Sequence, residues 1–554
     1  STTCQLALDE PLPGAPRPLP RQAPHLLNHA LEEGHRGKRL VTTIDARLQR
    51  RVEALVSEHH RRLSFNEIHN AAALVLDVET GEALAYVGNT HDPLNRHENR
   101  VDVITAPRSS GSILKPMLYA AMLDEGLILP NTLVPDIPTQ ISGYSPKNFD
   151  EAYAGAVPAR TALYRSLNVP AVRMLQDYGL EKFYHKLQKL DMSTLNHPAG
   201  HYGLSIILGG SEVTLWEVTG IYAGMARSLN HYGGLQSQYH PGDYHPPEYV
   251  KKDNSNIPLE ARPNGLFSAS SLWFTFEALT QLHRPRQESG WRLLGSSRKL
   301  AWKTGTSFGF RDGWAIGVTP RFAVGVWTGN ADGEGRPGLT GVDAAAPLLF
   351  DIIKTLPQNS WFEPPYDDMA RVPVCSKSGY RAGRDCPDVD TVFIPATGIR
   401  TEQCPYHKQV HLDQNGKYRV NARCADVYQM QHRSWFVLPP VMEWYYRRHH
   451  PEYKPLPPYA PGCGNKDNPM ALIYPENDSR VFIPVDIDGS PGRLVFRATH
   501  RNDSGLYWHL DDTYIGYTQT IHEVELKPEP GNHTLHLVDE KGNTLSADFT
   551  VVKE

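Results

Sequence analysis

The feature that most restricts the fold of this chain is a set of strand-like runs at two places far apart in sequence. Residues 71–78 and 83–88 are apolar and flank Glu79-Thr80-Gly81-Glu82, the pattern of a β-hairpin. Residues 299–306, 313–318 and 322–327 form a second group, the last two around Thr319-Pro320-Arg321. Between the groups, residues 113–282 read as mainly helical. The five strands make one antiparallel sheet if the ends of this long segment meet, with the helices set against it. The expected fold class is α+β, a sheet plus a helical subdomain, with a ligand cleft between them.

A chemical motif opens the helical segment. Arg108-Ser109-Ser110-Gly111-Ser112-Ile113-Leu114-Lys115-Pro116 contains S-x-x-K, Ser112 to Lys115. Residues three apart on a helix share a face, one turn apart. A serine hydroxyl is a poor nucleophile at neutral pH and needs a base within reach. A lysine amine is such a base once burial or a nearby cation lowers its pKa. Gly111 allows a sharp turn ahead of the serine. Pro116 suits a first helical turn, where N–H groups lack intrahelical partners. Ser112 is therefore expected at the positive end of a helix, where developing negative charge is favoured. Alone, S-x-x-K is a common chance pattern. Two further motifs follow it in order: S-x-N at Ser166-Leu167-Asn168, and Lys303-Thr304-Gly305-Thr306-Ser307.

S-x-x-K, S-x-N and K-T-G in this order resemble the signature of penicillin-binding proteins and class A β-lactamases. The flanking residues narrow the likeness. Asn148-Phe149-Asp150, Gly155, Arg160-Thr161-Ala162-Leu163 and Leu208-Gly209-Gly210-Ser211-Glu212-Val213-Thr214 resemble the transpeptidase domain of class A penicillin-binding proteins. A class A β-lactamase also needs a glutamate in an E-x-x-L-N context, and no such segment is found. The resemblance runs from about residue 40 to the end of the chain.

It implies a peptidoglycan D,D-transpeptidase acylated by β-lactams; a D,D-carboxypeptidase or a β-lactam-binding sensor with little turnover are the alternatives. Ser112 is then the nucleophile and Lys115 its base. Ser166 relays a proton and Asn168 orients Lys115. Lys303 keeps the site electropositive. Thr304, Gly305 and Thr306 line the substrate, with the Ser112 and Thr306 N–H groups as oxyanion donors. No cofactor and no metal are assigned. The implied ligands are peptidoglycan stem peptides and β-lactams, and the implied location is the periplasm.

With 554 residues the chain exceeds one ordinary domain. Its formal net charge of −5 points to neither nucleic acid nor an anionic membrane surface. No apolar run approaches the ~20 residues of a membrane helix, and no secretory signal opens the chain. The expected division is a linker region (1–70), a transpeptidase domain (71–358), a Cys- and Pro-rich connector (359–468) and a small β-sandwich (469–554). The proline-rich opening reads as the tail of something upstream. In the family a membrane anchor to the bacterial inner membrane and a glycosyltransferase domain stand there, so a fragment is expected. Asp45 is placed to cap a helix over 46–63, striped by Leu48, Val52, Leu55 and Val56.

Five of six cysteines fall between Cys375 and Cys463, which fits an oxidising compartment. Cys375 with Cys386 is the preferred disulfide, and Cys424 with Cys463 the second. The pairing of Cys4 and Cys404 stays open. Alternatively, Cys375, Cys386 and the Cys404-Pro405-Tyr406-His407 segment supply zinc ligands at irregular spacing. The terminal segment has strand-like runs at 480–485, 507–510, 533–538 and 548–552, and a turn at Lys541-Gly542-Asn543. It carries no chemical motif and is expected to bind a partner. The resemblance makes a periplasmic α2-macroglobulin-like protein the leading candidate.

Overall fold

The computed structural model describes residues 22–552 except 93, 140, 142–143, 253–260, 283–298, 464–467, 484–492, 503 and 512. Cys4 therefore lies outside the described residues. The two strand groups do meet. β1 (Asn70–Asp77), β2 (Ala83–Val87), β3 (Ala301–Thr306), β4 (Asp312–Val318) and β5 (Phe322–Gly329) form one antiparallel sheet in the order β2-β1-β5-β4-β3. β1 pairs with β5 from Asn70 opposite Gly329 to Asp77 opposite Phe322.

The side-chain alternation of a strand explains why β1 is apolar throughout. Ala72, Leu74 and Leu76 enter the core shared with the helical subdomain, while Ala71, Ala73 and Val75 enter a second core on the opposite face. α1 (Ala46–Leu63) and α6 (Ala346–Thr355) cover that second face through Val52, Val56, Leu348, Leu349, Ile352 and Ile353. Asp45 caps α1 as expected, accepting from the N–H groups of Arg47 and Leu48 at 2.8 and 3.0 Å. α1 thus packs on the sheet rather than standing free, because its apolar stripe has a face to cover. Just before α1, Thr42 bridges Val250.

On the other face stand α2 (Lys115–Asp124), α3 (Asn168–Tyr178), α4 (Leu215–Gly234) and α5 (Ala269–Leu279). α4 begins with a capping box, Thr214 and Glu217. α2 is apolar all round and its residues 115–123 are all buried, so it is the central rod of the subdomain.

The Cys-bearing connector is more regular than its composition suggests. Met369–Cys375 pairs with Val389–Pro395, and His407–Leu412 pairs with Gln431–Phe436; Pro440–His449 is a helix. Cys424 and Cys463 are joined. Cys375 and Cys386 are not: both are free thiols, as is Cys404. Their sulfurs converge on a histidine instead of on each other. Beyond the connector, a three-stranded and a five-stranded sheet pack over Phe496, Trp508, Leu535, Leu537, Phe549 and Val551. Among the described residues no helix is long and apolar enough to cross a membrane.

Candidate active site

Ser112 lies in the turn that leads into α2, half-buried, and the helix itself starts at Lys115. The Lys115 N–H donates to the Ser112 carbonyl at 3.3 Å, so the two residues are one turn apart, with the serine at the positive end. Gly111 adopts φ +52°, and a Cβ there would stand 2.7 Å from the backbone nitrogen of Thr306. Only glycine permits the serine turn to press this closely on the exposed edge of β3. The turn is held from three further sides. Trp314 Nε1 donates to the Ser109 carbonyl at 2.9 Å, Ser109 Oγ donates to the Gly209 carbonyl at 2.8 Å, and the Ser110 N–H donates to the Ser211 carbonyl at 3.0 Å. The Gly209-Gly210-Ser211 segment is therefore a backrest for the serine turn. A Cβ on Gly209 would stand 2.9 Å from the Gly111 nitrogen.

Lys115 is buried. Its Nζ donates to the carbonyls of Ser166 and Leu167 at 2.8 and 3.1 Å and to Asn168 Oδ1 at 2.8 Å. Lys303, fully buried on β3, donates to Ser166 Oγ at 2.7 Å and to the Thr304 carbonyl at 2.6 Å. Ser166 thus joins the two lysines, one through its carbonyl and the other through its hydroxyl. Its φ of +58° is a left-handed conformation that costs an L-residue about 1–2 kcal/mol. That conformation turns both oxygens toward the amines.

Three acceptors around Lys115 favour its ammonium form, whereas burial and the neighbouring Lys303 favour the neutral amine. Burial and repulsion win, and the Lys115 pKa lies well below that of an ordinary lysine. Burial also brings Lys303 down to about 7.

Asn168 is held at both ends of its amide: Oδ1 accepts from Lys115, and Nδ2 donates to the Lys147 carbonyl at 2.9 Å. Asn148, not among the site residues expected from sequence, organises this corner. Its Oδ1 accepts from the N–H groups of Asn168 and Val169 at 3.0 and 3.1 Å, capping α3 from a distance. Its Nδ2 donates to Asp136 Oδ1 at 2.7 Å. Asp136 lies on a ribbon, Leu133–Asp136 paired with Gly155–Pro158. Burial raises the Asp136 pKa. The sequence signal was present in Asn148-Phe149-Asp150, but nothing local told that the asparagine caps a helix that starts at Asn168.

The K-T-G-T residues divide by strand alternation. Lys303 and Gly305 face the serine turn; a Cβ on Gly305 would stand 2.8 Å from Ile113 Cγ2. Thr304 is buried beside Gly341, away from Lys303, and Thr306 Oγ1 accepts from the Gly341 N–H at 3.0 Å. Phe149 and Phe310 meet edge to face, 6.1 Å between centroids.

A serine at a helix start, with two buried lysines and an asparagine behind it and the edge of a sheet beside it, defines an active-site-serine acyltransferase. Residues 71–353 match the family described as "Penicillin binding protein transpeptidase domain", and residues 461–549 the "Penicillin-Binding Protein C-terminus Family". The chain belongs to the penicillin-binding proteins. It is 31% identical to Penicillin-binding protein 1C of Escherichia coli over 98% of its own length and 69% of that relative's. It is 29% identical to Penicillin-binding protein 1B of Vibrio cholerae over 57% of this chain and 40% of that relative. Among solved structures, Penicillin-Binding Protein 1A from Haemophilus influenzae shares the fold, with TM-score 0.55 and 17% identity over 72% of this chain and 79% of that one.

Proposed function

We propose that this chain cross-links peptidoglycan as a serine D,D-transpeptidase. The observation that carries the reading is the placement of Lys115, Ser166, Asn168 and Lys303 in one hydrogen-bonded array behind the Ser112 turn. Ser112 Oγ attacks the carbonyl between the two terminal D-alanines of a stem peptide, and its proton passes to the neutral amine of Lys115. The oxyanion takes N–H donors from Ser112 and Thr306, a reading supported by the close approach of Gly111, the residue before the serine, to the Thr306 nitrogen. The C–N bond then breaks. The departing D-alanine amine receives a proton through Ser166, leaving an ester on Ser112. Lys303 attracts the substrate carboxylate. An amine of a neighbouring stem peptide attacks the ester, releases Ser112 and completes the cross-link. In a β-lactam the broken C–N bond lies in a ring. The leaving amine therefore stays tethered, and the acyl-enzyme persists. Glycan polymerisation belongs to none of these residues.

Incubation with a pentapeptide stem and an excess of amine acceptor separates transfer from hydrolysis. A cross-linked peptide with release of D-alanine is expected. Exclusive release of the tetrapeptide carboxylic acid would make the chain a carboxypeptidase, and acylation without either product a sensor.

The terminal sandwich is read as a binding module acting in the periplasm. Its outer strand Thr513–Thr518 exposes Tyr514 and Tyr517 and pairs on one side only among the described residues, which suits strand addition or an aromatic-centred protein interface. An α2-macroglobulin-like protein is the candidate partner. Tyr514→Asp should abolish its capture and leave β-lactam acylation unchanged; capture that survives this substitution removes the proposed surface.

A further inference from the structure

The connector places three thiols around one imidazole nitrogen. Cys375 Sγ, Cys404 Sγ and Cys386 Sγ lie 3.3, 3.4 and 3.5 Å from His407 Nδ1. All four donor atoms fall within 4.8 Å of one another. Cys375 and His407 are buried, and the other two cysteines are half-buried. An imidazole nitrogen has one proton or one lone pair, so it serves one hydrogen bond and leaves two of these approaches without a cause.

A shared cation supplies the cause. With zinc–sulfur bonds of about 2.3 Å and a zinc–nitrogen bond of about 2.0–2.1 Å, the sulfur–nitrogen edge of a tetrahedron is about 3.6 Å. The observed edges are within a few tenths of that, and no pair of these sulfurs is bonded in a structure that does join Cys424 to Cys463. We propose that Cys375, Cys386, Cys404 and His407 form a closed, structural Zn(II) site. Three thiolates and an imidazole are donors that zinc takes in preference to magnesium or calcium.

The surroundings are built for thiolate. The Gly383 N–H donates to Cys386 Sγ at 3.3 Å, and Ser378 Oγ donates to Cys404 Sγ at 3.1 Å. Such outer donors fix first ligands and offset their charge. The ligands also come from separate parts of the connector. Cys375 ends the strand of the first hairpin and Cys386 follows in its loop, while Cys404 and His407 enter the second hairpin. One ion thus ties together two hairpins that each have little core of their own. The loop after Cys375 reaches the catalytic domain: the Leu133 N–H donates to the Ser378 carbonyl at 2.8 Å. Leu133 begins the ribbon that ends at Asp136, so the proposed ion anchors the connector beside the Asp136–Asn148–Asn168 corner.

The test uses the whole chain, purified without chelator and without reducing agent. Elemental analysis should find about one zinc ion per chain, because structural sites hold zinc tightly near neutral pH. Denaturation with chelator followed by alkylation should label Cys375, Cys386 and Cys404, with Cys424 and Cys463 still joined. Exchange into Co(II) should give the thiolate-to-metal charge-transfer and visible bands of a tetrahedral sulfur-rich site. Cys404→Ser and His407→Ala should each lower zinc content at least severalfold. Should these variants fail to fold, the metal content and thiol map of the unaltered chain decide. Zinc-free protein that takes up none on dialysis, a disulfide involving Cys375, Cys386 or Cys404, stoichiometric iron in place of zinc, or undiminished zinc in both folded variants would each overturn the proposal.

Discussion

At the residue scale the site runs on competition between solvation and charge. Burial and the neighbouring Lys303 lower the Lys115 pKa, as the proposed base role requires, whereas an arginine in its place stays protonated. Lys115→Arg should therefore slow β-lactam acylation of the folded chain by at least about a hundredfold, the low end for loss of a general base. Stopped-flow acylation kinetics check this, and a loss below about tenfold would assign the proton to another group. That the Ser112 turn, Lys115 and Lys303 come together was legible in the sequence, because short spacing and chain order are enough to group them. Ser166 in a left-handed conformation was not, since an L-residue with positive φ has no composition signal. Nor was the choice between a disulfide and three thiols around His407. Cysteine spacing counts candidates, whereas bonding depends on where two hairpins bring the sulfurs.

At the element scale, the long-range caps decide how firmly the site is held. Asn148 closes the first turn of α3 and thereby places Asn168 against Lys115. Asn148→Ala should cost about 1–2 kcal/mol of stability, as helix caps do. It should also slow acylation more than the stability loss accounts for, measured at a temperature where the variant is fully folded. A second device lies at the far end of α4. His231 bonds to Asp243 at 2.5 Å and to Glu79, in the turn after β1, at 3.0 Å. Those carboxylates raise its pKa to about 9. A raised folded pKa gives stability that is complete below the unfolded value near 6.5 and is lost as pH rises through about 9. The difference in melting temperature between the parent and His231→Gln should thus shrink between pH 6.5 and 9. A difference that stays constant across that range would mean that packing, not charge, is what the histidine contributes. That the two distant strand groups join in one antiparallel sheet was legible, because hydrophobic period leaves few arrangements; the strand order and the covering helix Ala346–Thr355 came only with the structure. The connector's hairpins were not: prolines interrupt the first pair of strands, whose apolar residues Ala370, Val372, Val374, Val392 and Ile394 make only a small cluster, and the second pair is largely polar.

At the scale of the whole molecule, the connector lies between the sheet domain and the terminal sandwich and packs on both. The terminal sandwich docks on the helix Pro440–His449 through an ion pair, Arg501 with Glu443 at 2.9 Å, which leaves Glu443 almost fully buried. That helix in turn packs on Gly155, where a Cβ would meet the Tyr446 backbone. Removing one partner strands the other in low dielectric, at a cost of about 3–5 kcal/mol. Glu443→Ala should therefore split thermal unfolding into two transitions and speed limited proteolysis between connector and sandwich; a single transition at the parent temperature would show that the pair is not the hinge. β-lactam acylation should survive, since the sandwich supplies no residue to the site described. The sandwich itself was legible from its short runs and turns, but its docking was not, because one buried glutamate looks in sequence like any surface acid. All of this architecture is proposed to serve a single reactive oxygen, and that is measured most directly by treating the chain with a labelled penicillin and locating the adduct by peptide mass mapping. The expected result is one adduct, on Ser112, absent from Ser112→Ala; an adduct on any other residue, or equal labelling of Ser112→Ala, would contradict it.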